Sequence, residues 1–330
     1  MNITILGGAG FLGRKIAERL AREGTLGGQP ITSLTLFDMH EPPRPSAAFP
    51  VTALAGDVVD LPEAAVPPGT DVIFHLAAVV SAQAEADYDL GRRVNVRGTD
   101  AVVDACRRLV GQGGKPPRVV FTSSVASFSA TQSDTLPDEA KQVPGNSYGA
   151  QKAAAELILA DASRRGFMDV VSIRLPTVVV RPGRPNKAAS SFFSAIVREP
   201  LLGLEAELPV PDDFGVWVCS PRRATDWLLH AAGMDTSQMG LDRSLSPPGI
   251  VTTVGGMLAA LETVRPGASG LVRRVADTNI AAIVGTWPPA FTASRARALG
   301  FVPHEPMEDV VRAFIEDDLE ATKRERGLIA

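Results

Sequence analysis

Cysteine is nearly absent. The 330 residues hold two, Cys106 and Cys219, far apart and in no CxxC pattern. No disulfide framework is expected, and both read as ordinary thiols of a reducing compartment. Histidine is almost as scarce. His40, His75, His230 and His304 are scattered, with no two at metal-ligand spacing, so no metal site is expected. An excess of basic charge is also missing. Lys and Arg number 33 against 37 Asp and Glu, a formal net charge of −4 with a pI near 5.7. That offers no field for nucleic acid or an anionic membrane. It does not exclude a small anionic substrate, which needs only one or two local arginines. Long apolar runs are lacking as well. Ile3–Leu6 is too short for a signal-peptide core, and the run Val170–Val180 is broken by Arg174 and Pro176. The expectation is a cytoplasmic protein with no membrane partner. There is no internal repeat and no long low-complexity segment.

What is present is enough for a sizeable core, since 45% of the residues are hydrophobic. Short apolar runs alternate with helical patterns through the first half. Ile3–Leu6 precedes a helix over Phe11–Arg22. Leu34–Phe37, Val51–Ala55 and Val72–His75 follow as strands. A long segment from about Ala84 to Leu109 has helical spacing. Val119–Thr122, a helix over Tyr148–Arg164, and Val170–Leu175 complete the series. Strands joined by helical crossovers must run parallel, with both faces of the sheet covered. The predicted fold is α/β: a doubly wound parallel sheet with a smaller α+β substrate-binding lobe. Residues 1–175 form the sheet domain, with roughly 215–235 returning to it. Residues 176–214 and 236–330 form the lobe. There Trp217–Cys219 suggests a strand, and Arg222–Ala232, Ala293–Leu299 and Pro306–Leu319 suggest helices. The polar tail Ala321–Ala330 is expected to fray.

Directly after the first strand comes Gly7-Gly8-Ala9-Gly10-Phe11-Leu12-Gly13, in which Gly7, Gly10 and Gly13 stand at G-x-x-G-x-x-G spacing. A chain that turns out of a strand, approaches a pyrophosphate and packs a helix on the sheet has no room for side chains at those points. The helix then turns free N–H groups toward the phosphates. This strand–glycine–helix order marks a dinucleotide-binding sheet of the Rossmann kind. The second strand ends in Asp38, whose carboxylate can accept from the adenosine ribose hydroxyls and would repel a 2′-phosphate; Met39 and His40 follow where an NADP enzyme would offer a cation. NAD is therefore the expected cofactor. Asp57 and Val58 follow the third strand at the adenine end, although a turn aspartate is nearly as good a reading. Leu76-Ala77-Ala78 after the fourth strand is small enough for a cofactor to lie against. His75 reads as structural.

Tyr148 and Lys152 are four apart on one helix and so share a face. A nearby ammonium favours a phenolate, which can take the proton of a substrate alcohol as hydride departs. The same lysine can hold the nicotinamide ribose. Between the glycine loop and this pair lies Phe121-Thr122-Ser123-Ser124. A hydroxyl at that strand end can steady developing charge on the substrate oxygen. Ser124 is the choice and Ser123 the competitor.

Gly7–Gly13, Asp38, Asp57, His75–Ala78, Asn95 within Val94–Thr99, Ser124 and the Tyr148/Lys152 pair together resemble the extended short-chain dehydrogenases/reductases, the group that holds the NAD-dependent epimerases and dehydratases. The resemblance implies Ser124, Tyr148 and Lys152 as the catalytic set. It implies Asn95 and Thr122 close to the cofactor, and Pro176, Thr177 and Val178 flanking the nicotinamide. It allows a homodimer through a helical face. A narrower stretch, Arg174 to Asn186 followed by Ala188–Phe193, Arg198–Leu201 and Val218–Arg222, is similar to the D-erythronate dehydrogenases. That likeness implies NAD-dependent oxidation of a four-carbon sugar acid at the carbon next to its carboxylate. Leu6, where the wider family often has threonine, and Phe128-Ser129, where sugar-nucleotide enzymes often have Tyr-Gly, are departures.

Three readings follow. The first is a dehydrogenase of a short 2-hydroxy sugar acid, with Ser124, Tyr148, Arg181, Arg184 and Asn186 as substrate contacts. Arg174, Arg198 and Arg222 are further candidate carboxylate partners, and Arg174 is the one best read as structural. The second is an NDP-sugar 4-epimerase or dehydratase using the same Ser/Tyr/Lys set. The third is a non-catalytic NAD sensor, against which the intact Tyr148/Lys152 pair argues.

Overall fold

The computed structural model describes every residue except 132–133, 185–187, 304–305 and 330. The chain divides into two compact units. The first comprises Met1–Ser127, Ser147–Arg174 and Thr225–Leu245; the second comprises Phe128–Asn146, Leu175–Ala224 and Ser246–Ala330.

Seven strands build the first unit: β1 (Asn2–Leu6), β2 (Ser33–Asp38), β3 (Val51–Ala55), β4 (Val72–His75), β5 (Arg118–Ser124), β6 (Asp169–Leu175) and β7 (Ser244–Leu245). They lie in the order β7-β6-β5-β4-β1-β2-β3, with parallel pairing. Ile3 to Leu6 and Val72 to His75 are buried without alternation, as strands covered on both faces must be. Helix α1 (Phe11–Glu23) buries Ile16, Ala17 and Leu20. Helices α2 (Gly98–Gly111) and α3 (Ser147–Arg164) supply Val102, Cys106, Leu109, Ala155 and Leu159 to a core with Ile73, Val119, Phe121 and Val170. The strand order reverses between β1 and β4. In such sheets the crevice outside the carboxyl ends at that reversal is where ligands bind. This is the doubly wound fold that the alternating pattern predicts.

The single long helix expected from about Ala84 is instead broken. Ser81–Ala86 stops at Asp87, whose φ is −133°, and Asp87 then caps Tyr88–Arg92 by accepting from the Leu90 N–H at 2.9 Å. A π-turn, Arg93–Arg97, carries the chain into α2.

The second unit is α+β. Thr177–Val178, Gly215–Cys219 and Ile250–Thr253 form a three-stranded sheet, parallel in its first pair and antiparallel in its second. Helices Ser191–Leu201, Val254–Val264 and Met307–Asp317 surround buried Phe192, Phe193, Trp217 and Phe314. The tail corrects an expectation. Leu319–Glu325 is helical, Thr322 is buried, and its hydroxyl accepts the Gly183 N–H at 3.2 Å. Its polar sequence hides an anchor that depends on a residue 139 positions away. Among the described residues, no helix is long and apolar enough to cross a membrane.

Candidate active site

The glycine loop is fixed by its neighbours. Gly7 and Gly8 donate to the Phe37 carbonyl at 2.8 and 3.1 Å, while Leu76 and Ala77 donate to that of Leu6. Gly7 has φ +96°, and a β-carbon there would lie 2.7 Å from the Ala77 nitrogen. At Gly13 a β-carbon would meet the Gly7 carbonyl oxygen at 2.1 Å. Both positions therefore require glycine for close packing of loop, strand and helix. Gly10 is the N-cap of helix α1, which has no side-chain cap and no acidic residue in its first turn. Its first N–H groups and positive dipole end thus suit an anion. A cleft of about 530 Å³ opens beside the loop, lined among others by Gly7, Gly10, Asp38, Asp57, Leu76 and Ala78. These features fit a dinucleotide.

Asp38 ends β2 at this cleft. Its Oδ2 accepts the Ala9 N–H at 2.9 Å and its Oδ1 the Met39 N–H at 2.7 Å. Asp57 Oδ1 accepts from Val59 N at 3.0 Å, and Oδ2 forms an ion pair with Arg93. Val58 and Ala77 line the same cleft, with Met39, His40 and Arg93 beside them. Phe11 and Leu12 open α1 and are half-buried.

Tyr148, half-buried, stands at the start of α3. Lys152 is buried one turn on, donates to the Thr122 carbonyl at 2.7 Å, and sits 5.7 Å from the Tyr148 ring centroid. Burial pulls the Lys152 pKa down to about 7, while the Glu156 carboxylate pulls it the other way. Ser124 is at the end of β5, half-buried, and its hydroxyl oxygen accepts the Ala126 N–H at 3.1 Å. Ser123, the competitor, is buried and donates to Glu156 Oε1. That bond commits Ser123 to the core and leaves Ser124 as the better candidate. Arg174 donates to the same Glu156 at 2.8 Å, which accounts for it structurally.

Asn95 lies in the π-turn and is buried. Its Oδ1 accepts from Val79 N at 2.8 Å, and its Nδ2 donates to Val79 O at 3.0 Å and to Gln151 Oε1 at 2.7 Å. It therefore holds the backbone of Val79, which lines the cleft. It also ties that backbone to α3 between Tyr148 and Lys152. Gln151 escaped sequence reasoning, although it stands inside the Tyr148–Lys152 stretch. Glu156 escaped too, although its spacing from Lys152 repeats that of Lys152 from Tyr148. His75 is buried, with Nε2 3.1 Å from Thr99 Oγ1. The Thr99 hydroxyl also lies 2.8 Å from the Asn95 carbonyl, to which it can donate while accepting from His75.

In the second unit, Pro176 leads into the short strand Thr177–Val178. Arg181 is fixed at four points. Its N–H donates to Ser194 Oγ at 3.0 Å, and its carbonyl accepts from Arg198 at 2.8 Å. Its guanidinium donates to the Val178 carbonyl at 3.1 Å and to Ser190 Oγ at 2.9 Å. Arg184 is exposed. Asn186 lies outside the described residues. Arg198 is buried against Glu199, and Arg222 is paired with Glu316 and Asp317.

A glycine-lined cleft and a tyrosine–lysine pair on a sheet whose strand order reverses fit an NAD-dependent enzyme acting on a CH–OH group, and the relatives make it a dehydrogenase. Residues 3–216 match the NAD dependent epimerase/dehydratase family, and the chain belongs to it. A D-erythronate dehydrogenase from Cupriavidus necator is 44% identical over 324 residues, covering 96% of this chain and 98% of its own. One from Haemophilus influenzae is 36% identical, covering 97% of this chain and all of its own. A crystal structure described as a nucleoside-diphosphate-sugar epimerase from Agrobacterium tumefaciens superposes with a TM-score of 0.91 at 46% identity. It covers 97% of this chain and 95% of that one.

Proposed function

We propose that the chain oxidises the carbinol next to the carboxylate of a short sugar acid, D-erythronate before others, with NAD. The observation that carries the substrate class is the near full-length likeness to two D-erythronate dehydrogenases. Of the five arginines in the stretch, Arg174, Arg198 and Arg222 already face carboxylates of the protein. Arg181 donates to the Val178 carbonyl and to Ser190 Oγ, which orient its guanidinium. Such a group suits a substrate carboxylate through paired N–H donors. The two D-erythronate dehydrogenases support the choice of acid.

NAD, held by the glycine loop, Asp38 and Lys152, would supply the hydride acceptor. The chain's own residues do the rest. Lys152 stabilises the Tyr148 phenolate, and Tyr148 takes the carbinol proton. Ser124 donates to the substrate oxygen as charge develops there. Thr122, through its carbonyl, aims the Lys152 ammonium, and Asn95 would hold Val79 at the cleft for the cofactor.

A screen of short sugar acids with NAD, followed by NADH formation, tests the proposal. The description of the Agrobacterium structure favours a second reading, epimerisation of a nucleotide sugar by the same first-unit residues. That reaction yields no net NADH, so one assay separates the two.

A further inference from the structure

Tyr148, Lys152 and Glu156 lie at successive four-residue steps of α3, and so on one face. Lys152 and Glu156 are both buried, at 2% and 3% exposure. The Glu156 carboxylate accepts from Ser123 Oγ and from Arg174 Nε and Nη2, the latter two at 3.0 and 2.8 Å. Ser123 sits between Thr122, whose carbonyl receives Lys152, and Ser124. One buried carboxylate therefore anchors the strand segment on which both the lysine and the candidate serine depend.

We propose that Glu156 is a positioning residue of the reacting pair, supplying the counter-charge that lets the buried Lys152 remain an ammonium beside Tyr148. The proposal rests on the reading of Tyr148 as the base. An ammonium without a counter-charge in the interior sheds its proton. Among the described groups facing Lys152, Glu156 is the carboxylate. On its own helix there are Tyr148 and Glu156. From β5 come the Thr122 carbonyl and the Phe121 ring, whose centroid is 4.6 Å away. From β4 comes His75, kept neutral by burial and by Lys152 itself. Arg174, from β6, is occupied by Glu156. In this proposal Tyr148 and Lys152 share one proton loss. Losing one proton, the pair becomes either phenolate with ammonium or phenol with amine, and only the first can accept a proton from a substrate alcohol. Glu156 selects the first.

The sequence contains two tyrosines, Tyr88 and Tyr148. In Tyr88→Phe, ultraviolet absorbance of phenolate reports Tyr148 alone, without substrate or cofactor. Its midpoint is expected well below the ordinary ~10 of tyrosine. Adding Glu156→Gln and Arg174→Met removes the buried charges together, a replacement that proteins generally tolerate. In that folded variant the midpoint is expected to rise by about one pH unit or more. Turnover should fall about tenfold or more at pH values below the raised midpoint, where the unproductive phenol–amine form prevails. An unchanged midpoint with wild-type turnover overturns the proposal and leaves Tyr148 as base intact. A midpoint near ~10 in Tyr88→Phe itself overturns the reading of Tyr148, and the proposal with it.

Discussion

The Asp38 carboxylate accepts the Ala9 N–H at 2.9 Å, joining the end of β2 to the glycine loop at the end of β1. Its second oxygen is turned to the Met39 N–H at 2.7 Å. The acid proposed to read the cofactor thus also holds the glycine loop.

Preference for NAD over NADP follows. A 2′-phosphate facing Asp38 is a like-charge contact, which can cost several kcal/mol. The expected kcat/KM ratio favours NAD by about a hundredfold or more. Asp38→Ala should lower kcat/KM for NAD, since the loop loses its tie, and should narrow the ratio. Equal wild-type values with the two cofactors would show that Asp38 does not face the ribose.

Arg181→Ala is expected to raise KM for D-erythronate strongly, by about tenfold or more, because an unpaired carboxylate loses a charge-assisted hydrogen bond. NAD binding should hold. Arg184→Ala, at an exposed position, should change KM little. The reverse ranking would move the clamp to Arg184.

Acid should destabilise the protein through His75. Burial, with Lys152 adding to it, lowers the His75 pKa to about 3. In the unfolded chain it titrates near ~6.5. Between those values the unfolded state binds the extra proton, so stability falls as pH falls, by at most about 1.4 kcal/mol per pH unit. His75→Gln removes that slope. Urea midpoints at neutral pH and at mildly acidic pH should converge for the two proteins as acid is added. Parallel lines would contradict the assignment.

Local spacing made much of this legible. Gly7, Gly10 and Gly13 follow a strand and open a helix, and Tyr148 and Lys152 are one helical turn apart, so a few residues of sequence carry each feature. What was hidden depends on tertiary contact. Nothing in the apolar spacing of 84–109 marks the stop at Asp87, because that break serves a cap and a π-turn. Glu156 becomes informative only once β5 and β6 bring Ser123 and Arg174 to it. The helical tail is specified by Thr322 meeting Gly183, across most of the second unit's sequence. Asn186 lies outside the described residues, and its place beside a substrate hydroxyl stays a proposal.

The most direct test of the account is turnover of Tyr148→Phe with NAD and D-erythronate, measured beside NAD affinity in the same folded protein. Wild type should form NADH, and the variant should lose about a hundredfold or more of kcat while binding NAD as before. Near-normal NADH formation by Tyr148→Phe would contradict the account.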